Sequence, residues 1–248
     1  MSKDFPLGKK FYVMRHAETE DNKSGVVSGS GREPELTEKG KQQAVDAREI
    51  LERINQPINL IVTSALKRTK DTAKIICDTG SMRDVPRIVD EGINERAYGE
   101  AEGMSEVEVR KLKSHNAQIA GSEEKNVARE RAVAAVKRSI AVRKNIDGDK
   151  TTLFITHGGI VARLLGVALG GEEAVDKMKK YGDLIGRGHA VKNCGIYEFT
   201  TPKTAGGEWE VNELMLDNNK QIKRDSVQKQ VTIFQKIASR SSELGVNL

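Results

Sequence analysis

The sequence predicts an α/β fold: a three-layer α/β/α sandwich around a mostly parallel sheet. Two observations predict it. Short apolar runs rich in Val, Ile and Thr recur along the chain, and most are followed by a stretch with helical periodicity. Two of these runs, "FYVMRHAE" and "TTLFITHGGI", end in a histidine followed by small residues. In a parallel α/β sheet the carboxyl ends of the strands line one edge, where ligands bind. The two histidines are therefore expected to meet there.

The elements follow in order. Residues 11–14, 58–63 and 151–156 read as buried parallel strands, being short, apolar and β-branched. "GIYEF" and "EWEVNELM" read as further strands. A helix is expected over 37–54, with Thr37 as N-cap and Ala44, Ala47, Ile50, Leu51 and Ile54 on one face. A second helix follows Ser64. A third spans about 123–145, with Val133, Val136 and Ile140 at helical spacing. A fourth starts just after His157. Residues 100–118 are highly charged and read as an insertion over the sheet. From about 215 the chain is polar, read as one helix around 227–238 and a tail. With no repeat and no Pro/Ser-rich linker, 1–248 is expected to form a single domain.

Bulk properties exclude several classes. The 248 residues carry 41 basic and 36 acidic side chains, a net charge of +5. That small excess, without aromatics interleaved among basic clusters, argues against nucleic-acid binding. Only Cys77 and Cys194 are cysteines, so no disulfide framework is implied and a reducing, cytoplasmic setting is expected. No apolar run approaches a membrane span, and no signal-peptide core is visible.

The chemistry concentrates at three strand ends. Arg15 and His16 end the first strand, His157 another, and Ser64 a third, with Arg68 one turn into the helix that follows. Two histidines and two arginines thus aim at one sheet edge, beside helix starts with free N–H groups. That set suits a phosphoryl group: guanidinium groups pair with its oxygens and a neutral imidazole attacks phosphorus. A metal site would need a third ligand at suitable spacing, and neither "RHAETE" nor "THGGI" supplies one.

Five ordered blocks, "VMRHAETEDN", "LTEKGKQQA", "VTSALKRTKDTAKII", "INERAYGEAEG" and "FITHGGIVARLL", resemble the histidine phosphatase superfamily, with its phosphoglycerate mutase-like fold. The resemblance implies that His16 is the nucleophile and becomes a phosphohistidine. It implies that Arg15, Arg68, His157, Asn22 and Gly158 hold the phosphoryl group and that Glu95 is the proton donor. It also points to Ser28, Gly29 and Tyr98 as further substrate contacts. No cofactor and no metal are implied. A neutral His16 is expected beside two guanidinium groups, its second ring nitrogen donating to a backbone carbonyl.

The anion readers of the mutase branch are mostly absent. Glu106 stands where a lysine is usual, Gly159 where an asparagine is usual, and the usual Arg-Arg pair is missing from "HNAQIAGSEEKN". The expected function is a metal-independent phosphomonoesterase acting on a small phosphorylated metabolite or a phosphoprotein. Phosphoglycerate mutase is the alternative, and an inactive phospho-ligand-binding scaffold a third. Assembly as a homodimer stays open.

Overall fold

A computed structural model describes residues 5–54, 56–115, 118–141, 151–171 and 191–232. In chain order these form β1 (Lys10–Arg15), α1 (Glu20–Lys23), α2 (Glu38–Glu52), β2 (Ile58–Thr63), α3 (Lys67–Ile76), β3 (Arg87–Val89), α4 (Glu106–Ser114), α5 (Lys125–Ala141), β4 (Thr151–Thr156), α6 (Gly158–Ala168), β5 (Ile196–Thr200), β6 (Glu210–Leu216) and β7 (Ile222–Ser226). Short 3₁₀ turns lie at Gly80–Met82, Glu91–Ile93 and Gly99–Ala101. No helix among the described residues is long and apolar enough to cross a membrane.

The strands form one seven-stranded sheet in the order β3-β2-β4-β1-β5-β6-β7. The half from β3 to β1 is parallel. The half from β1 to β7 is antiparallel. The sheet is therefore mixed rather than mostly parallel. For the last two pairs the reason is connection length. Parallel neighbours need a crossover of a dozen or more residues. Nine residues link β5 to β6 and five link β6 to β7, enough only to reverse direction. β7 also falls in the polar stretch expected to hold only helix and tail. None of its residues is buried and its sequence is polar, so no apolar alternation marked it. Residues 227–232 then begin a helix, and the rest of the expected 227–238 segment lies outside the described residues.

Pleating sorts the side chains of β1 onto two cores. Phe11 and Val13 join Ala128, Ala132, Ala135 and Val136 of α5 and Ile160 and Leu164 of α6. Tyr12 and Met14 join Ala44, Ala47 and Leu51 of α2 and Ala73 and Ile76 of α3. Both faces of β1 and β4 are thus covered, which gives three layers. α2 starts where its N-cap predicts: the Gly40 N–H donates to Thr37 Oγ1 at 2.9 Å.

α4 occupies the charged insertion. It does not lie over the sheet. Val109 is buried but joins neither core. Its segment is stitched instead to residues 25–27, through Val27 N–H to Met104 O, Gly103 N–H to Val27 O and Glu106 N–H to Gly25 O. A helix with so narrow an apolar face cannot cover a sheet.

Candidate active site

The register of β1 against β4 sets the site. Arg15 pairs with Thr156, and the next N–H, that of His16, donates to Thr156 O at 2.9 Å. His16 and His157 thereby leave adjacent strands at the same level. Their rings are buried, with centroids 5.2 Å apart.

Hydrogen-bond chemistry assigns both tautomers. His16 Nδ1 lies 2.7 Å from Ala17 O, an acceptor, so Nδ1 carries the proton and Nε2 a lone pair. Arg68 Nε, which can only donate, lies 3.2 Å from His157 Nδ1. His157 Nδ1 is therefore the acceptor, and its Nε2–H donates to Ser64 Oγ at 2.8 Å. Ser64 Oγ passes its own proton toward Thr69 Oγ1, which donates to Leu66 O. Both imidazoles are held well below their ordinary pKa. Burial is the main cause for each. For His16 the Arg15 and Arg68 charges add to it, and for His157 Arg68, His16 and Arg15. The family resemblance implies that His157 helps hold the phosphoryl group. In this structure both of its ring nitrogens are already engaged, so the neutral ring has no free donor.

The two arginines differ. Arg68 is almost fully buried and donates from Nε to His157, from Nη1 to Arg32 O (2.8 Å) and from Nη2 to Gly29 O (3.0 Å). It thus ties the loop over residues 29–32 to the histidines. Arg32 also forks onto Asp21, at 2.7 and 2.9 Å. Arg15 donates from Nη1 to Val191 O at 2.9 Å, while its buried Nε has no partner among the described residues. Burial pulls the Arg15 pKa down, against the Glu95 and Glu106 charges.

Glu95 is buried, its oxygens accepting from Arg96 N–H (3.0 Å) and Gly159 N–H (2.9 Å). This explains Gly159: a Cβ there would lie 2.4 Å from Glu95 Oε1. The glycine leaves the space that the carboxylate fills. The turn before Glu95 is pinned from three sides. Thr156 Oγ1 donates to Ile93 O, Ala65 N–H donates to Asn94 Oδ1, and Arg131 Nη1 donates to Gly92 O and Asn94 O. Gly158 opens α6 with its Cα beside Arg15, since a Cβ there would lie 3.3 Å from Arg15 Nε. Tyr98 carries the Arg96 guanidinium 4.4 Å above its ring, and the Glu95 charge, with burial, pushes its pKa up to about 12.

Asn22 caps α1 reciprocally with Thr19. Gly29 is brought in through its carbonyl on Arg68. Ser28 Oγ is a buried hydroxyl with no partner at hydrogen-bond distance among the described residues, although it lies close enough to Asp21 to help hold that carboxyl low. Of the residues singled out from the sequence, then, Arg15, His16, Asn22, Arg68, Glu95, His157 and Gly158 converge on one sheet edge. Ser28 lies on the adjoining loop without a bond into the cluster.

Sequence reasoning missed the loop 191–195. β5 runs antiparallel to β1, with Ile196 opposite Met14. Its start therefore lies at the edge where β1 ends. Cys194 N–H reaches both Arg15 O and His16 O, and Arg15 N–H donates to Gly195 O. "KNCGIYEF" carried the needed hint only if β5 was known to be antiparallel.

Residues 11–181 match the sequence profile of the histidine phosphatase superfamily (branch 1). The chain belongs to this superfamily. A 2,3-bisphosphoglycerate-dependent phosphoglycerate mutase of Bartonella quintana is 34% identical over 104 residues, 42% of this chain and 50% of that protein. The chain thus spans about half the length of the Bartonella relative. A glucosyl-3-phosphoglycerate phosphatase of Mycolicibacterium vanbaalenii is 27% identical over 175 residues, 65% of this chain and 75% of that protein. Among solved structures, a mycobacterial glucosyl-3-phosphoglycerate phosphatase superposes with TM-score 0.64 at 21% identity, over 83% of this chain and 98% of that one. A Bacillus anthracis phosphoglycerate mutase gives TM-score 0.64 at 15% identity, over 92% and 97%. The superfamily fold is thus shared with phosphatases and mutases alike.

The buried neutral histidines carry a stability consequence. In the unfolded chain both regain a pKa near 6.5, so below about pH 6.5 the unfolded state binds more protons than the folded one. Their contribution is complete above that pH and is lost as pH falls. The urea midpoint should drop between pH 7 and pH 5.5, with a slope approaching two protons, reduced by about one in His16→Asn. A midpoint flat across this range would show that the rings are not held neutral.

Proposed function

We propose that the protein is a phosphomonoesterase that works through a phosphohistidine at His16. One observation carries the reading. A neutral His16, its Nδ1 proton donated to Ala17 O, keeps the Nε2 lone pair within the field of Arg15, whose buried Nε has no partner among the described residues. A nucleophile and an unfilled cationic donor in one pocket suit a phosphoryl group.

The steps balance without another reactant. Glu95, ionised in the resting site, first takes the proton of the incoming monoester monoanion; His16 Nε2 then attacks phosphorus, the P–O bond to the leaving group breaks, and the leaving oxygen takes that proton from Glu95. Water then attacks the phosphohistidine, gives a proton back to Glu95, and the N–P bond breaks to release phosphate. Each Glu95 oxygen has a second lone pair beyond its N–H partner, so the carboxyl can exchange a proton without leaving its anchors. Arg15, the two Arg68 N–H groups not used internally, Asn22 and the Gly158 end of α6 hold the phosphoryl oxygens. His157 contributes through Arg68.

Hydrolysis is favoured over mutase action by the surroundings of Arg15. The Glu106 charge acts on Arg15 from the start of α4. An acidic group there opposes the carboxylate of a phosphoglycerate, by less than about 1 kcal/mol because Glu106 is exposed. Gly159 offers no side-chain amide, because Glu95 fills that space. The mutase reading is supported by sequence identity to several such enzymes, those of Bartonella, Parvibaculum and Methylobacterium among them.

Rapid quench with a labelled phosphomonoester, in excess chelator, should trap acid-labile, base-stable label on His16. His16→Ala should lower turnover by several orders of magnitude. Label on another residue, or activity restored only by added metal, would contradict the mechanism. Phosphate release should also exceed interconversion of 2- and 3-phosphoglycerate when both are assayed with bisphosphoglycerate primer. Efficient interconversion with negligible release would favour the mutase.

A further inference from the structure

Asn193 lies beyond the stretch that matches the superfamily profile, yet its side chain joins two groups of the site. Donor chemistry fixes the orientation of both amides involved. The Thr19 N–H can only donate, so the Asn22 atom 3.3 Å from it is Oδ1. Asn193 reaches the same Oδ1 at 3.0 Å and the His16 carbonyl at 3.1 Å. Both are acceptors, so the atom that reaches them is Nδ2, and both of its hydrogens are used. Asn22 Oδ1 is thus filled from two sides, and the donor this amide has left is its Nδ2.

The turn that carries Asn193 is docked firmly. Cys194 sits at φ 55, a left-handed conformation that residues other than glycine adopt at a cost, and its N–H bridges Arg15 O and His16 O. Gly195 N–H closes the turn on Lys192 O at 3.0 Å. Asn193 is therefore presented by backbone bonds to Arg15 and His16, the second of which its side chain also meets.

We propose that Asn193 is a positioning residue, which holds Asn22 with its Nδ2 as donor for the phosphoryl group and fixes the peptide of the nucleophile. The inference rests on the phosphoryl-site reading above. It adds that Asn22 works only when its amide is prevented from flipping. A carboxylate at 193 would present acceptors alone, so Asn22 would turn its Nδ2 toward it and leave Oδ1 facing an anion. The added negative charge would also raise the pH at which His16 takes a proton.

The test uses inorganic phosphate as probe, titrated calorimetrically into the full chain at a temperature well below unfolding. Asn193→Asp should weaken phosphate binding by about tenfold or more, the factor one hydrogen bond to an ionised group supplies. The acid limb of its turnover profile should move to higher pH. Should Asn193→Asp not fold, a cycle of Asn193→Ala, Asn22→Ala and the double variant decides. In the Asn22→Ala background, Asn193→Ala should weaken binding less than about twofold further. Wild-type affinity in Asn193→Asp, or additive losses in the cycle, would overturn the proposal, and a lowered melting temperature with unchanged affinity would leave only a structural role. Phosphohistidine in the wild type with intact phosphate binding in Asn193→Asp would sink the positioning role alone. Asn22-dependent phosphate binding without phosphohistidine would sink the enzymatic reading alone, and no phosphate binding by the wild type would sink both.

Discussion

One parallel pairing governs the rest of the site. Because Arg15 sits opposite Thr156, the chain leaves β1 and β4 with His16 and His157 at one level, their rings 5.2 Å apart. A slip of β1 by one residue would send His16 to the other face, away from His157, since side chains alternate along a strand. The slip is prevented by the two cores. Phe11 and Val13 belong to one and Tyr12 and Met14 to the other, so β1 cannot shift without exchanging their partners.

Bringing these groups together costs electrostatic energy in one protonation state and little in another. Two guanidinium charges share a buried pocket with the imidazoles. At about 5 Å and an effective dielectric of about 20, each added like charge costs roughly 3 kcal/mol. The cations stay on the arginines, whose intrinsic pKa is far higher, and the imidazoles give up theirs. The same excess of positive charge is what a phosphoryl dianion would neutralise. Glu95 offsets part of it meanwhile, since its charge is the leading favourable influence on both Arg15 and Arg68.

The parallel half of this arrangement was legible in the sequence because apolar runs ending in "RH" and "THGG" combine a buried strand with chemistry at its carboxyl end. Thr37 as N-cap and the alanine face of α2 were legible for the same reason, a local pattern with a local cause. The antiparallel half was not. β7, "IKRDS", has no alternation, and its place depends on pairing with β6. Asn193 was hidden with it, because its nearness to His16 follows from β5 running against β1. Gly159 was legible as a departure from the mutase pattern, but its cause, the Glu95 carboxylate in the space of its missing side chain, exists only in three dimensions. The engagement of His157 by Ser64 and Arg68 was likewise beyond reach, since a ring's tautomer is set by what surrounds it.

The opposite tautomers of the two neutral histidines are the central claim, and nitrogen-15 NMR of ring-labelled protein reads them directly. At pH 7, without ligand, His16 should carry its proton on Nδ1 and His157 on Nε2, each with one pyrrole-like and one pyridine-like nitrogen. An imidazolium at either position, or a His16 protonated on Nε2, would contradict it, because the nucleophilic lone pair would then be absent from the resting site.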